Sequence, residues 1–138
     1  MLRVVLAGIF AVCLTVMAHA QEVLAPNPEI EATIAGQFDA FLAEDVVTAW
    51  QFASPNIQRI FRDAETFGRM VEQGYPMVWA PAQVDFIDLQ SFAGILVQRV
   101  QVIDQAGIAH YLGYQMIQTD DGWKINGVQI LPPPQVAA

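Results

Sequence analysis

Cysteine is almost missing from this chain. Its single thiol, Cys13, lies within the first twenty of 138 residues. Beyond them there is no disulfide, no thiolate nucleophile and no cysteine-held metal. Basic residues are scarce too: six lysines and arginines face fourteen acids, for a net charge of −8. Without a basic stripe to neutralise phosphates, a nucleic-acid partner is excluded. Only one histidine, His110, follows residue 20, so a zinc site would need three carboxylates, and no such spacing occurs. The sequence also lacks an alternating Asp/Asn calcium loop, a serine nucleophile elbow, a phosphate loop and a dinucleotide fingerprint. These absences predict no cofactor. The apolar run at the N-terminus, Val4–Val16, holds thirteen residues, whereas a spanning helix needs about 20.

What is present is apolar bulk: 54% of residues are hydrophobic and the mean hydropathy is +0.37. Part of it belongs to the opening segment. Met1-Leu2-Arg3 supplies a positive start, the apolar run follows, and Ala18-His19-Ala20 fits the small-x-small rule. This pattern predicts a secretory signal cut after Ala20, and hence a periplasmic or secreted protein with no membrane span. Removing residues 1–20, which carry one arginine and no acid, leaves 118 residues at −9. That length buries a sufficient core without staples.

Residues 21–28 read as a loose leader. Asn27-Pro28-Glu29 then marks a helix start, with Glu31 at the same positive end. Ile30, Ile34, Phe38, Phe41 and Leu42 form one apolar stripe on a helix ending near Ala43. Asp45 caps a second helix over residues 46–53. Ser54-Pro55 starts a third, with Ile57, Ile60 and Phe61, and Asp63 a fourth, with Phe67, Met70 and Val71, ended by Gly74. After Pro76 the period changes. Residues 77–79 read as a short extended piece, and 84–89, 95–103, 108–118 and 123–131 as strands. Asp104–Gly107 and Thr119–Gly122 are turn sequences. Pro132–Pro134 open a proline-rich tail, 132–138. The expectation is one α+β domain, 29–131, with N-terminal helices packed on a curved antiparallel sheet of about four strands. Apolar residues at both parities of 95–103 imply two partly shielded sheet faces, which leaves a homodimer open.

The chain also resembles the domain-of-unknown-function family numbered 4864, found in secreted alphaproteobacterial proteins. The resemblance rests on Ile34 with Gln37, Ala40-Phe41 and Asp45, then Phe52-Ala53-Ser54-Pro55, Ile57 and Phe61. It continues through Phe67, Met70-Val71, Gly74-Tyr75-Pro76 and Gln98, and closes on Tyr114, Met116 and Asp121–Val128. It implies a nuclear-transport-factor-2-like, cystatin-like cone, with helices in the concavity of the sheet. It transfers no catalytic residue.

Several side chains are candidates for chemistry. His110 suits a general base, although a hydrogen-bonded strand histidine is the plainer reading. Asp39 and Asp45 invite comparison with cone-fold isomerases, which pair an Asp base with Tyr donors in an apolar cavity. Asp39, however, falls on the polar side of its helix, and Asp45 where a cap is wanted. Arg99 suits a carboxylate partner or an anionic ligand. Phe38, Trp50, Tyr75, Trp79, Arg99, Tyr111 and Tyr114 are the candidates for lining a cavity. The sequence favours a non-catalytic exported module that binds a small apolar ligand or an envelope protein. The competing expectation is a small isomerase or hydro-lyase with a Tyr/Asp pair in the cavity.

Overall fold

Four short polar side chains set where the first four helices begin. The structure, a computed structural model, describes residues 21–134; the expected signal segment and residues 135–138 lie outside the described residues. A short strand, β1 (Glu22–Leu24), precedes the first helix, α1 (Pro28–Leu42). Asn27 is extended, and its side-chain oxygen accepts the amides of Glu29 and Ile30 at 3.0 and 3.3 Å. Pro28 takes the first helical position, where no amide partner is needed. Asp45, Ser54 and Asp63 each accept the amide three residues on, and so open α2 (Val46–Gln51), α3 (Pro55–Phe61) and α4 (Ala64–Gly74). The α1 stripe of Ile30, Ile34, Phe38 and Phe41 is buried, but Leu42, on the last residue of the helix, is 52% exposed.

Residues 77–79 are not extended. They form the helical turn α5 (Pro76–Trp79), with Met77 and Val78 buried. Pro76 supplies a helical φ at the first position, and this outweighs the strand preference of Val78 and Trp79.

The sheet has five strands rather than four. Its order follows the sequence and every pairing is antiparallel: β1, β2 (Gln83–Phe92), β3 (Ile95–Ile103), β4 (Ala109–Thr119) and β5 (Gly122–Leu131). The additional strand is β1, from the segment read as a leader. Val23 lies opposite Gln90 and Leu24 opposite Leu89. Ala93 and Gly94, both at positive φ (50° and 82°), close the β2–β3 hairpin in two residues.

The register puts one row of residues under the helices: Leu89 on β2, Val100 and Val102 on β3, Leu112, Tyr114 and Met116 on β4, Ile125 on β5. All of them are buried. The opposite face carries Asp88, Gln90, Val97, Arg99, Tyr111 and Gln129. Two irregularities interrupt the ladders, at Ile87 and at Asn126. The second one positions the helices. Around it Ser54 N–H donates to the Ile125 carbonyl at 2.8 Å, and Ile125 N–H donates to that of Phe52 at 2.9 Å. Ala53 thus pairs in parallel with Ile125. The Asn126 side-chain oxygen accepts from the Ser54 hydroxyl at 2.7 Å and from Asn56 Nδ2 at 3.2 Å. The α2–α3 junction is fastened to the outer edge of the sheet.

Four aspartates are held below the ordinary carboxylate range, and each has a visible cause. The Thr48 hydroxyl and then its amide lower Asp45; the Thr66 amide lowers Asp63. The Arg99 guanidinium lowers Asp88, while the His110 ring and then the Ile108 amide lower Asp104. Such groups contribute stability that is complete above the unfolded carboxylate pKa and is lost as pH falls through the lowered folded value. The urea midpoint should therefore hold from pH 7 to about 5 and fall below about pH 4. Midpoints measured at pH 7, 5 and 3 test this, and a midpoint that rises on acidification would contradict it.

Candidate functional site

Because Ser54 fastens its start to β5, α3 stands over the edge of the sheet with none of its residues fully buried. It faces α4 across an apolar cavity of about 280 Å³. Ile57, Ile60 and Phe61 line it from α3, and Phe67, Met70 and Val71 from α4. Gln37 and Phe41 line it from α1, Ile125 and Val128 from β5, and Tyr75 and Val78 from the α4–α5 join. Phe67 is the aromatic hub of this wall. Its ring centre lies 5.9 Å from Phe41, 5.4 Å from Trp50 and 5.8 Å from Phe61, each pair tilted as aromatic quadrupoles prefer.

The polar groups of the lining are the Gln37 amide and the Tyr75 hydroxyl. No aspartate, glutamate, histidine, lysine or arginine is among the lining residues. Gln37 is buried on α1, and its Nε2 donates to the Ala49 carbonyl at 3.1 Å, tying α1 to α2.

The seven sequence candidates fall in different places. Tyr75 lines the cavity. Trp50 and Trp79 brace its wall from behind, with Trp79 5.6 Å from the Phe41 ring. Phe38 and Tyr114 pack on each other in the core, 5.9 Å apart. Arg99 and Tyr111 lie across the sheet from the helices, in a separate groove of about 480 Å³ shared with Ile87, Gln90, Phe92 and Val97. There Arg99 forms a two-pronged pair with Asp88, Nε to Oδ1 and Nη2 to Oδ2, both at 2.7 Å. This is the carboxylate partner that the sequence suggested for Arg99.

The groups of the Tyr/Asp expectation stay apart. Asp39 is exposed on α1, and Asp45 is spent on its cap, with Oδ2 2.6 Å from the Thr48 hydroxyl. Tyr114 is fully buried, its hydroxyl has no partner among the described residues, and burial pushes its ionisation far above the ordinary phenol value. It remains protonated and takes no part as a base. His110 holds the β3–β4 hairpin: its Nε2 lies 2.8 Å from Asp104 Oδ2, while Asp104 Oδ1 accepts the amides of Ala106 and Ile108.

Sequence reasoning missed Gln37 as a site residue. The available signal was its place beside Ile34, Phe38 and Phe41, where a buried amide interrupts an apolar stripe. The stripes of α3 and α4 were visible, but that they face each other across a space is a tertiary fact.

No curated protein and no solved structure matches this sequence. The sequence profile described as Domain of unknown function (DUF4864) matches residues 24–138, which takes in every element from Leu24 onward. The chain belongs to the DUF4864 family.

Proposed function

We propose that this protein is an exported, non-catalytic module that binds a small apolar ligand in the cavity between α1, α3, α4 and β5. The observation that carries the reading is the lining itself. About 280 Å³ of space is walled by carbon, with one amide and one phenol as its polar groups. Sites for small molecules are concave, mostly apolar and fixed by a few polar groups, and this space is near the small end of their range. A concave space of this small size favours a small molecule over an envelope protein. Helices on one face of an antiparallel sheet also agree with the nuclear-transport-factor-2-like cone that the resemblance implies.

Export to the periplasm is supported by Arg3, the apolar run and Ala18-His19-Ala20, and by the secreted alphaproteobacterial proteins that the chain resembles. The protein recovered from the periplasmic fraction should begin at Gln21 on N-terminal sequencing. Recovery of intact Met1 in membranes would remove this part of the reading.

The binding test uses two isomeric probes, 1-octanol and heptyl methyl ether. At least one should raise the melting temperature of the wild type in proportion to the logarithm of its concentration. Met70→Trp, which fills the space from α4, should abolish that shift while the variant stays folded. If neither probe shifts the wild type at its solubility limit, the cavity is not a ligand site.

A further inference from the structure

The buried amide of Gln37 restricts what the cavity accepts, an inference that rests on the ligand-binding reading above. Its orientation follows from chemistry. The Ala49 carbonyl only accepts hydrogen bonds, so the group 3.1 Å from it must be the NH₂ end of the side chain. The other end is therefore the carbonyl oxygen, Oε1. Among the described residues nothing donates to Oε1, although Gln37 is only 4% exposed. Nor is this oxygen sealed in, because the one fully enclosed side-chain polar atom without a partner there is the Tyr114 hydroxyl. Gln37 is one of the residues that line the cavity, and we take Oε1 as the atom it presents there. A ligand that displaces solvent from this oxygen without supplying a donor leaves a buried acceptor unpaired, which costs free energy, whereas a ligand with a donor avoids that cost.

We propose that Gln37 Oε1 is the polar anchor of this site and selects neutral apolar molecules that carry a hydrogen-bond donor, such as an aliphatic alcohol. The same oxygen rejects anions. A carboxylate offers it lone pairs only, and no lysine or arginine lines the cavity to compensate the buried charge. Ionised fatty acids are thus excluded even though their chains suit the walls. Neither the Tyr75 phenol nor the second N–H of Gln37 reverses this selection: each can donate to an alcohol oxygen and an ether oxygen alike, and neither neutralises a buried carboxylate charge.

The test compares 1-octanol, its isomer heptyl methyl ether, and octanoate at pH 8, by chemical-shift titration of the whole mature chain. Octanol should bind about tenfold more tightly than the ether, the worth of one buried hydrogen bond, and octanoate should not bind. The Gln37 side-chain amide resonances should move with octanol. Gln37→Met keeps length and burial but loses the acceptor; it should bring octanol down to the affinity of the ether and leave the ether unchanged. Tyr75→Phe should preserve the preference. Equal binding of octanol and ether by the wild type overturns the donor requirement while leaving the cavity as a ligand site. So does a preference lost in Tyr75→Phe and kept in Gln37→Met. Failure of both neutral probes overturns the ligand site and this inference with it. Should Gln37→Met fail to fold, the ranking of the three probes on the wild type still decides.

Discussion

Replacing Phe41 by alanine should lower stability by about 4 kcal/mol, close to the upper end for a core truncation. Phe41 is 1% exposed on α1, and its ring is held between Phe67 and Trp79. It is also a wall of the cavity, so the space vacated by the ring would adjoin it. The loss grows with residual void, and collapse is hindered because Phe67 is held by Trp50 and Phe61 as well. The melting temperature should fall by roughly 10–20 °C. Urea denaturation at pH 7 measures the change, with an unaltered slope confirming that the native fold persists. Leu42→Ala is the matched control. That side chain is half exposed, so its loss should cost less than about 1 kcal/mol. Equal losses at the two adjacent positions would refute the account of where the core ends.

The second large effect lies where α2 and α4 touch. Gly68 is buried in the middle of α4 against Val46, the first residue of α2. A Cβ at position 68 would lie 2.3 Å from Val46 Cγ1 and 3.0 Å from its Cβ. Val46 is β-branched and has no alternative rotamer to retreat into cheaply. Gly68→Val must therefore push the two helices apart, which disturbs the Trp50–Phe67 contact, at a cost of about 3 kcal/mol. The gain in helix propensity, a few tenths of a kcal/mol, does not offset this. Gly74 ends the same helix with nothing near its Cβ position. Gly74→Ala should stabilise the domain by roughly 0.5–1 kcal/mol. Opposite signs at two glycines of one helix identify contact, not propensity, as the cause. Val46→Ala should recover part of the loss in a Gly68→Val background, a coupling measurable as a double-mutant cycle.

Local chemistry was legible before the structure. Asn27, Asp45, Ser54 and Asp63 were all readable as caps, because a short polar side chain before a helix acts on amides two or three residues away. The four long strands were readable from β-branched runs between turn sequences. Elements decided by distant partners were not. β1 has three residues, too few to show a period, and exists because Val23 meets Gln90 far along the chain. α5 was misread because Val78 and Trp79 suit a strand, while Pro76 and burial favour a turn of helix. The site followed the same division. The sequence supplied the apolar stripes of α3 and α4, but which aromatics reach the cavity depends on how the helices cross. Tyr75 reaches it, whereas Trp50 and Trp79 end behind it and Phe38 and Tyr114 beneath it.

The parallel bridge between Ala53 and Ile125 bears on self-recognition between chains. β5 is a ten-residue strand at the end of an open sheet, and its outward N–H and C=O groups form a template on which another strand can grow. The α2–α3 junction occupies those groups at Ile125, and Asn126 breaks the ladder beside it. Pro132–Pro134 follow the far end, where an approaching strand would find no donors. At the opposite edge β1 covers only part of β2, and the irregularity at Ile87 breaks the uncovered stretch. Long runs of unpaired backbone are thus interrupted at both margins. The residues that hold α3 over the cavity also leave the β5 edge with less free backbone for another strand to pair with.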